Sequence, residues 1–295
     1  MKDLLLRSML FAPGNRSDLH RKAAATTADA IILDMEDSVL DKAKEAARST
    51  IVNSVKSGIF GDKILVVRLN DLDSGHLLKD IIALTIKGIT GFIYPKSYVL
   101  EDITFFDRFL TSVELDKGFT RGHFKMIPLI ETAAAVLHAE EICQASPRII
   151  AAVFGSEDFL ADIRGFHDGT GRSMLYPRAQ MVLAARAAGI IPIDAMHINL
   201  HDLEDLEEHL KVAKVLGFEG KLLLHPKEIE LAHRYFSPTS AEVKQARKLV
   251  ELTRQAAVDN MRVAFLDGCL VGPPMLISAR NILKRAELIA RKKKS

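Results

Sequence analysis

The sequence has no tryptophan, few other aromatic residues and two cysteines among its 295 residues. An aromatic content of 6% disfavours a surface that stacks nucleic-acid bases, so no nucleic acid is expected as a partner. Cys143 and Cys269 lie far apart in the chain and form no Cys-x-x-Cys spacing. Neither a zinc site nor a disulfide framework is therefore predicted from the cysteines, and a reducing cytoplasm is the expected location.

Long apolar runs and nucleotide-binding motifs are also missing. The run from Leu4 to Leu6 is too short for a signal peptide, and no segment approaches the roughly 18 apolar residues of a membrane span. We therefore expect a cytoplasmic protein with no membrane partner. No Walker or G-x-G-x-x-G sequence is present, which disfavours nucleotide hydrolysis and dinucleotide redox chemistry.

The stretch from Lys125 to Asp158 carries the clearest pattern in the chain. Apolar runs at 126–130 and 149–154 flank an alanine-rich segment, and each run ends in acidic residues. Such runs are typical of strands buried on both faces, which predicts a strand–helix–strand unit with Glu131 and Asp158 at one rim. Two carboxylates, together with water and substrate oxygens, commonly bind Mg²⁺ in proteins. The structural alternative is that these two acids lie in loops or cap helix N-termini instead of binding a metal.

The same alternation recurs along the whole chain. Eight alternating strands predict an α/β protein of the (β/α)8 TIM barrel class, which typically needs about 250 residues. We expect the barrel to occupy 1–235 and a C-terminal helical lid extension to occupy 236–295, with helices over 240–259 and 275–290. The predicted strands are 8–12, 30–33, 63–67, 91–94, 126–130, 149–154, 189–193 and 221–224, and the helices between them include 41–57, 77–86, 132–144, 178–188 and 203–216.

Polar residues gather at the C-terminal ends of these strands, which is the face where such barrels carry their active sites. Contact with water explains some of them individually. An arginine and several acids at this one end of the barrel, here called the mouth, need partners or a ligand because charges that are buried or half-buried are costly when they are unpaired. The residues concerned are Asp34, Glu36, Asp37, Arg68, Asn70, Lys96, Glu131, Glu157, Asp158, Asp194 and His225.

An ordered series of motifs runs nearly end to end along the chain, at 7–14, 33–39, 67–70, 94–96, 128–132, 154–158, 217–221 and 225–226. Together these motifs resemble the citrate lyase β-subunit group of the HpcH/HpaI aldolase superfamily. This resemblance implies a Mg²⁺-dependent lyase that cleaves a 3-hydroxyacyl-CoA of the citramalyl-, malyl- or citryl-CoA type into an acyl-CoA and a 2-oxo acid. It also implies a homotrimer or homohexamer.

The resemblance also implies roles for individual residues. Glu131 and Asp158 match the metal ligands of the family, and Arg68 matches the arginine that holds the substrate carboxylate. Asp37 and Lys42 match further residues of the active-site rim.

The reaction also requires groups that stabilise negative charge, because negative charge must be stabilised on both fragments. Arg68 can hold a carboxylate through paired N–H donors, and a backbone N–H near Gly155 and Ser156 can hold an oxyanion. Glu36 and Asp37 are expected in the catalytic centre, next to the metal through water rather than as groups that transfer a proton directly. We expect Asn70 and Glu131 to contact the substrate as well.

The chain departs from the family near its C-terminus. Relatives carry a lid segment Gly-x-Met-Ile-Asp-x-Pro whose aspartate acts as acid or base, and the matching stretch 268–274 has Gly272 in that place. Asp267 is the nearest substitute. The segment therefore predicts either that the lid closes differently on a particular substrate or that the activity is not the standard lyase reaction of the family. Independently of the lid, two alternatives stay open, namely a class II aldolase acting on free hydroxy-oxo acids and a catalytically impaired citrate lyase β-like subunit.

Overall fold

Eight parallel strands close into one barrel in the computed structural model, which describes residues 4–200, 202–258, 264–266 and 269–292. Each strand pairs with its neighbours in chain order, and the eighth pairs with the first. The predicted (β/α)8 barrel is confirmed, with every predicted strand end within two residues of the observed one. The strands are β1 (Ser8–Pro13), β2 (Ala30–Asp34), β3 (Ile64–Arg68), β4 (Gly91–Tyr94), β5 (Lys125–Ile130), β6 (Ala151–Phe154), β7 (Ile191–Asp194) and β8 (Gly220–Leu223).

Helices follow the strands and cover the barrel. Their apolar faces pack on strands that are themselves buried, as expected for a parallel sheet covered by crossover helices. They are α1 (Ser17–Ala24), α2 (Lys44–Lys56), α3 (Leu77–Leu84), α4 (Leu100–Asp116), α5 (Ala133–Leu137), α6 (Ala139–Gln144), α7 (Ser156–Asp162), α8 (Arg172–Ala187), α9 (Leu203–Leu216) and α10 (Ile229–Tyr235).

Several helices differ from the sequence prediction. The helix predicted over 132–144 is split at His138, which ends α5 and precedes α6. The helix predicted from 178 begins at Arg172, so that Pro177 lies inside it. Proline suits a first turn, which is why a start near 178 is expected from the sequence alone. The structure also adds α4, α7 and α10 to the predicted helices.

The register of the strands aligns the polar strand ends. Asp34 at the end of β2 is the direct partner of Arg68 at the end of β3. Ile130 at the end of β5 is likewise the partner of Phe154 at the end of β6. Residues that follow these positions therefore emerge together at one mouth of the barrel.

The chain divides into two compact units, residues 6–233 and residues 234–295 with 1–5. In the second unit, α11 (Ser240–Val258) and α12 (Pro273–Lys292) pack on each other, and β9 (Ala264–Leu266) pairs antiparallel with β10 (Cys269–Val271). The predicted helical extension is present, whereas Asp267 lies outside the described residues. The predicted division into domains 1–235 and 236–295 stays a prediction. Among the described residues, no helix is both long enough and apolar enough to cross a membrane.

Candidate active site

Glu131 directly follows β5, and only 2% of its surface is exposed. Among the described acids of the mouth that form no salt bridge, it is the most deeply buried. Its Oε1 accepts a hydrogen bond of 2.8 Å from the backbone N–H of Lys96. Burial raises the pKa of Glu131 to about 8, with further increases from the charges of Glu36 and Asp158. Such a carboxyl is stabilised in its ionised form by a nearby cation.

Gly155 brings the start of α7 close to this carboxyl. A Cβ atom added at Gly155 would lie 2.6 Å from Glu131 Cβ and 2.8 Å from Glu131 Oε2, closer than real side chains approach. Glycine therefore leaves a space beside Oε2. Asp158 lies exposed in the first turn of α7 and acts electrostatically on Glu131. The two carboxylates predicted to bind metal thus share one rim, and their role stays a prediction.

Arg68 is buried at the end of β3 among three acids. Its Nε and Nη2 donate to the two oxygens of Asp34 over 2.7 and 2.8 Å, and its guanidinium lies 5.0 Å from the ring centre of Phe11. Its Nη1 lies 2.8 Å from Glu36 and 3.2 Å from Asp37. Burial would raise the pKa of Asp34, but the charge and hydrogen bonds of Arg68 hold it below its usual range. Asp34 thus occupies the paired donors, and the Nη1 side faces the mouth.

Glu36 differs from its neighbour Asp37 in burial. The side chain of Glu36 is 11% exposed, whereas that of Asp37 is 70% exposed. Burial raises the pKa of Glu36 to about 7, with contributions from the charges of Asp37 and Asp34, while Arg68 and Lys96 act in the opposite direction. A carboxyl that titrates near neutral pH suits proton transfer.

Lys96 is a site residue to which the sequence analysis assigns no role. Its backbone φ is 48°, a left-handed value that residues other than glycine rarely adopt. This conformation directs its N–H at Glu131, while its Nζ lies 2.8 Å from Asp71 and 3.8 Å from Glu36. The motif at 94–96 marks a strand end in the sequence, but nothing in it reveals the left-handed turn.

Asn70 lies in a buried polar cluster beneath the mouth. Its side-chain N–H donates to Asp80 over 2.6 Å, and its side-chain oxygen accepts from Lys44 Nζ over 2.5 Å. Lys44 also donates to the backbone carbonyls of Met35 and Glu36 over 2.6 and 2.8 Å. The side-chain oxygen and an N–H of Asn70 are therefore used in holding the loop that carries Glu36. Its predicted contact with substrate is not tested by this arrangement and stays a prediction.

The remaining residues predicted to bind substrate lie in different environments. Lys42 is exposed in a short 3₁₀ turn before α2 and makes no hydrogen bond or ion pair with any residue that the structure describes. The backbone N–H of Gly155 donates to the carbonyl of Ile130 over 3.0 Å, so it is already used within the barrel. Ser156 is buried, and its hydroxyl donates to Glu157 over 2.9 Å. An oxyanion donor in this segment would therefore be the N–H of Ser156.

Two other polar residues at strand ends have structural partners. Asp194 accepts from Arg178 of α8 over 2.9 and 3.0 Å and from Lys221 of β8 over 2.8 Å, all in a buried setting. His225 caps the following 3₁₀ turn by accepting from the N–H of Lys227 over 3.2 Å. Partners within the fold therefore account for both residues, and because Asp194 is buried, contact with water does not explain its position.

Comparisons with known proteins point in one direction. The model of the family "HpcH/HpaI aldolase/citrate lyase" matches residues 7–226. The chain is 32% identical over 283 residues to the citrate lyase subunit beta of Haemophilus influenzae, covering 96% of this chain and 97% of that protein. It is also 32% identical over 304 residues to the L-malyl-CoA/beta-methylmalyl-CoA lyase of Rhodobacter capsulatus, covering 96% and 95%.

A solved structure extends the similarity to the fold. CitE from Mycobacterium tuberculosis, in complex with magnesium, acetoacetate and coenzyme A, matches with a TM-score of 0.78 at 27% identity. The match covers 97% of this chain and 100% of that chain. The agreement therefore includes nearly the full length of both chains.

Proposed function

Because the chain belongs to the HpcH/HpaI aldolase/citrate lyase family, we propose that it is a Mg²⁺-dependent carbon–carbon lyase. It cleaves a 3-hydroxyacyl-CoA of the citramalyl-, malyl- or citryl-CoA type into an acyl-CoA and a 2-oxo acid. The observation that carries the proposal is the buried carboxyl of Glu131, whose pKa is raised to about 8 beside a second acid at the mouth of the barrel. Similarity to a citrate lyase subunit and to a malyl-CoA lyase supports the reaction class.

The side chains at the mouth fit a magnesium ion. Mg²⁺ prefers oxygen ligands and is usually held by one or two carboxylates together with water and substrate oxygens. Glu131 offers Oε2 next to the space that a side chain at Gly155 would fill, and Asp158 offers a second carboxylate. A bound cation would also offset the repulsion among these acids. When bound, Mg²⁺ supplies Lewis-acid polarisation of the hydroxyl and carboxylate oxygens of the substrate.

The protein must also accept a proton. Cleavage turns the hydroxyl into a carbonyl group, so its proton leaves while the electrons of the broken carbon–carbon bond move onto the carbon beside the thioester. Glu36 is assigned to take this proton, directly or through one water, because its pKa of about 7 allows it to be ionised and then protonated near neutral pH. Asp37 lies at the exposed edge of the same group.

Arg68 orients the carboxylate of the 2-oxo acid. Asp34 fixes the guanidinium through a two-fold contact, which leaves the Nη1 side for the substrate. Two acids lie beside that side, Glu36 at 2.8 Å and Asp37 at 3.2 Å. Asp37 is the more exposed of the two, so a substrate carboxylate replaces Asp37 there. A lysine lacks the planar arrangement of donors that this double contact requires.

Gly272 favours a second candidate function. It stands where relatives carry a lid aspartate, and the proposed reaction needs a donor to protonate the carbon beside the thioester. A chain without that donor would be a catalytically impaired citrate lyase β-like subunit. A class II aldolase acting on free hydroxy-oxo acids is the other alternative, and it would show no dependence on coenzyme A.

We further propose a cytoplasmic homotrimer or homohexamer, on the strength of the family resemblance. Light scattering coupled to size-exclusion chromatography would measure the mass of the assembly. A monomer at micromolar concentration would contradict the oligomer without touching the lyase proposal.

A survey of substrates tests the function. Malyl-, citramalyl- and citryl-CoA, and the corresponding free acids, would be incubated with purified protein and Mg²⁺, and 2-oxo acid release would be followed. The proposal expects release from at least one CoA ester and none from the free acids. Release from the free acids alone would identify an aldolase, and no release from any of them would favour the impaired subunit.

A further inference from the structure

Three potential metal ligands lie together on the loop after β7 and on α9, and none of them belongs to the residues assigned to the mouth. They are His197, Asp205 and His209, and one donor atom from each lies within 4.8 Å of the others. Asp205 and His209 are four residues apart on α9, which places them on the same helix face. His197 reaches this face from the loop that joins β7 to α9.

One ring nitrogen of His197 is buried and has no hydrogen-bond partner among the described residues. Its side chain is 3% exposed, and Nε2 makes no hydrogen bond within the part of the chain that the structure describes. This atom lies 3.6 Å from Asp205 Oδ2, which is beyond hydrogen-bonding distance. Leaving such a group unsatisfied is unfavourable, so a ligand at this position would stabilise the fold.

His209 completes the arrangement from the other side of Asp205. Its Nε2 lies 3.7 Å from Asp205 Oδ1, and the two imidazole rings meet edge to face with centres 5.1 Å apart. Zn²⁺ bonds of about 2.0–2.1 Å in tetrahedral geometry separate neighbouring ligand atoms by about 3.3 Å. Both observed separations are only slightly longer, although they run to different oxygens of Asp205, and one donor atom from each of the three residues lies within 4.8 Å of the others. Small side-chain rotations would therefore bring the three donors to ligand spacing.

We propose that His197, Asp205 and His209 bind one Zn²⁺ ion at a site of their own. Two imidazole nitrogens and one carboxylate are a donor set that suits Zn²⁺, whereas Mg²⁺ prefers oxygen ligands alone. The ion ties the loop after β7 to the first turns of α9, with its fourth position left to water. No cysteine takes part, which is why cysteine spacing gives no sign of this site.

The test uses full-length protein without a polyhistidine tag, in buffer with excess Mg²⁺ so that acidic sites at the mouth are filled. Zinc chloride is titrated by calorimetry into the wild type, His197→Ala and His209→Ala. His209 is one-third exposed, so its replacement should leave the fold intact. His138→Ala is the matched control, because it removes an exposed histidine beside the single acid Glu141.

The proposal expects one Zn²⁺ per chain in the wild type and in His138→Ala. It expects at least about a tenfold loss of affinity in His197→Ala and in His209→Ala, since even residues that only orient a metal ligand contribute that much. Zn²⁺ should also raise the Tm of the wild type and leave that of His209→Ala unchanged, a comparison that stands even if His197→Ala fails to fold. Wild-type protein that binds no Zn²⁺, or equal binding by wild type and His209→Ala, would overturn the site. Neither readout uses lyase activity.

Discussion

The backbone N–H of Lys96 donates a hydrogen bond of 2.8 Å to Glu131 Oε1, and the backbone φ of Lys96 is 48°. The turn after β4 thereby fixes the orientation of the carboxylate that directly follows β5. A left-handed residue other than glycine costs about 1–2 kcal/mol, and such strain is found mostly where function requires it. We infer that this turn helps to hold Glu131 ready for a metal ion.

Two substitutions at Lys96 separate its backbone from its side chain. Lys96→Asn and Lys96→Val both remove the ion pair with Asp71, but asparagine tolerates the left-handed conformation and valine does not. We expect Lys96→Val to bind Mg²⁺ roughly tenfold more weakly than Lys96→Asn, as measured by calorimetry. Equal affinities in the two variants would show that the backbone conformation does not position Glu131.

The affinity for Mg²⁺ should depend on pH in a defined direction. Because the pKa of Glu131 is raised from an ordinary 4.5 to about 8, the metal-free carboxyl is largely protonated at pH 7, and Mg²⁺ must displace that proton. The apparent affinity should therefore rise about tenfold per pH unit below about pH 8 and level off above it. Calorimetry across this pH range measures the slope. Glu131→Gln is the control, because it lacks the titrating carboxyl and should not show this slope. A flat profile in the wild type would contradict the assignment of Glu131 as ligand.

Gly155 should tolerate no side chain. A methyl group at this position would meet Cβ and Oε2 of Glu131 at 2.6 and 2.8 Å, so Gly155→Ala should displace that carboxylate and weaken Mg²⁺ binding by about tenfold or more. Gly165→Ala at the other end of α7 is the matched control, since its nearest contacts are flexible side-chain atoms at 3.1 Å. Unchanged Mg²⁺ affinity in Gly155→Ala would rule out this account of the glycine.

The lid position offers a gain of function. A Cβ atom added at Gly272 would lie 3.8 Å from Pro274 Cδ, an ordinary contact, so an aspartate fits there without strain. If a missing acid limits the reaction, Gly272→Asp should raise turnover of the best CoA ester by about 10²- to 10⁴-fold. Stopped-flow or coupled assays of 2-oxo acid release would measure the change. Unchanged turnover in this variant, with Asp267→Asn also silent, would show that the lid carries no catalytic proton.

The strand order and the composition of the mouth could be predicted from the sequence, because short apolar runs that end in charged residues identify strands of a parallel barrel. Asp34 and Arg68 could be placed at one rim, yet their mutual two-fold contact could not, since it depends on the register between β2 and β3. Asn70 shows the same difficulty. Its position at a strand end is typical of a substrate-binding residue, whereas its hydrogen bonds run to Lys44, 26 residues away, and to Asp80.

The residues that sequence analysis missed share one property. The left-handed turn at Lys96 and the paired histidines on α9 and its preceding loop become meaningful only when distant segments meet. Composition and periodicity describe single elements, so they cannot reveal such contacts.

The dependence of the lyase rate on Mg²⁺ is the decisive test of the proposed metal-assisted cleavage. Release of 2-oxo acid from the best CoA ester would be measured for wild type and Glu131→Gln over a Mg²⁺ titration after treatment with EDTA. EDTA should abolish wild-type turnover and Mg²⁺ should restore it, whereas Glu131→Gln should stay inactive at every Mg²⁺ concentration while remaining folded by circular dichroism. Wild-type turnover that persists in EDTA, or a Glu131→Gln variant with the wild-type response to Mg²⁺, would contradict metal-assisted cleavage.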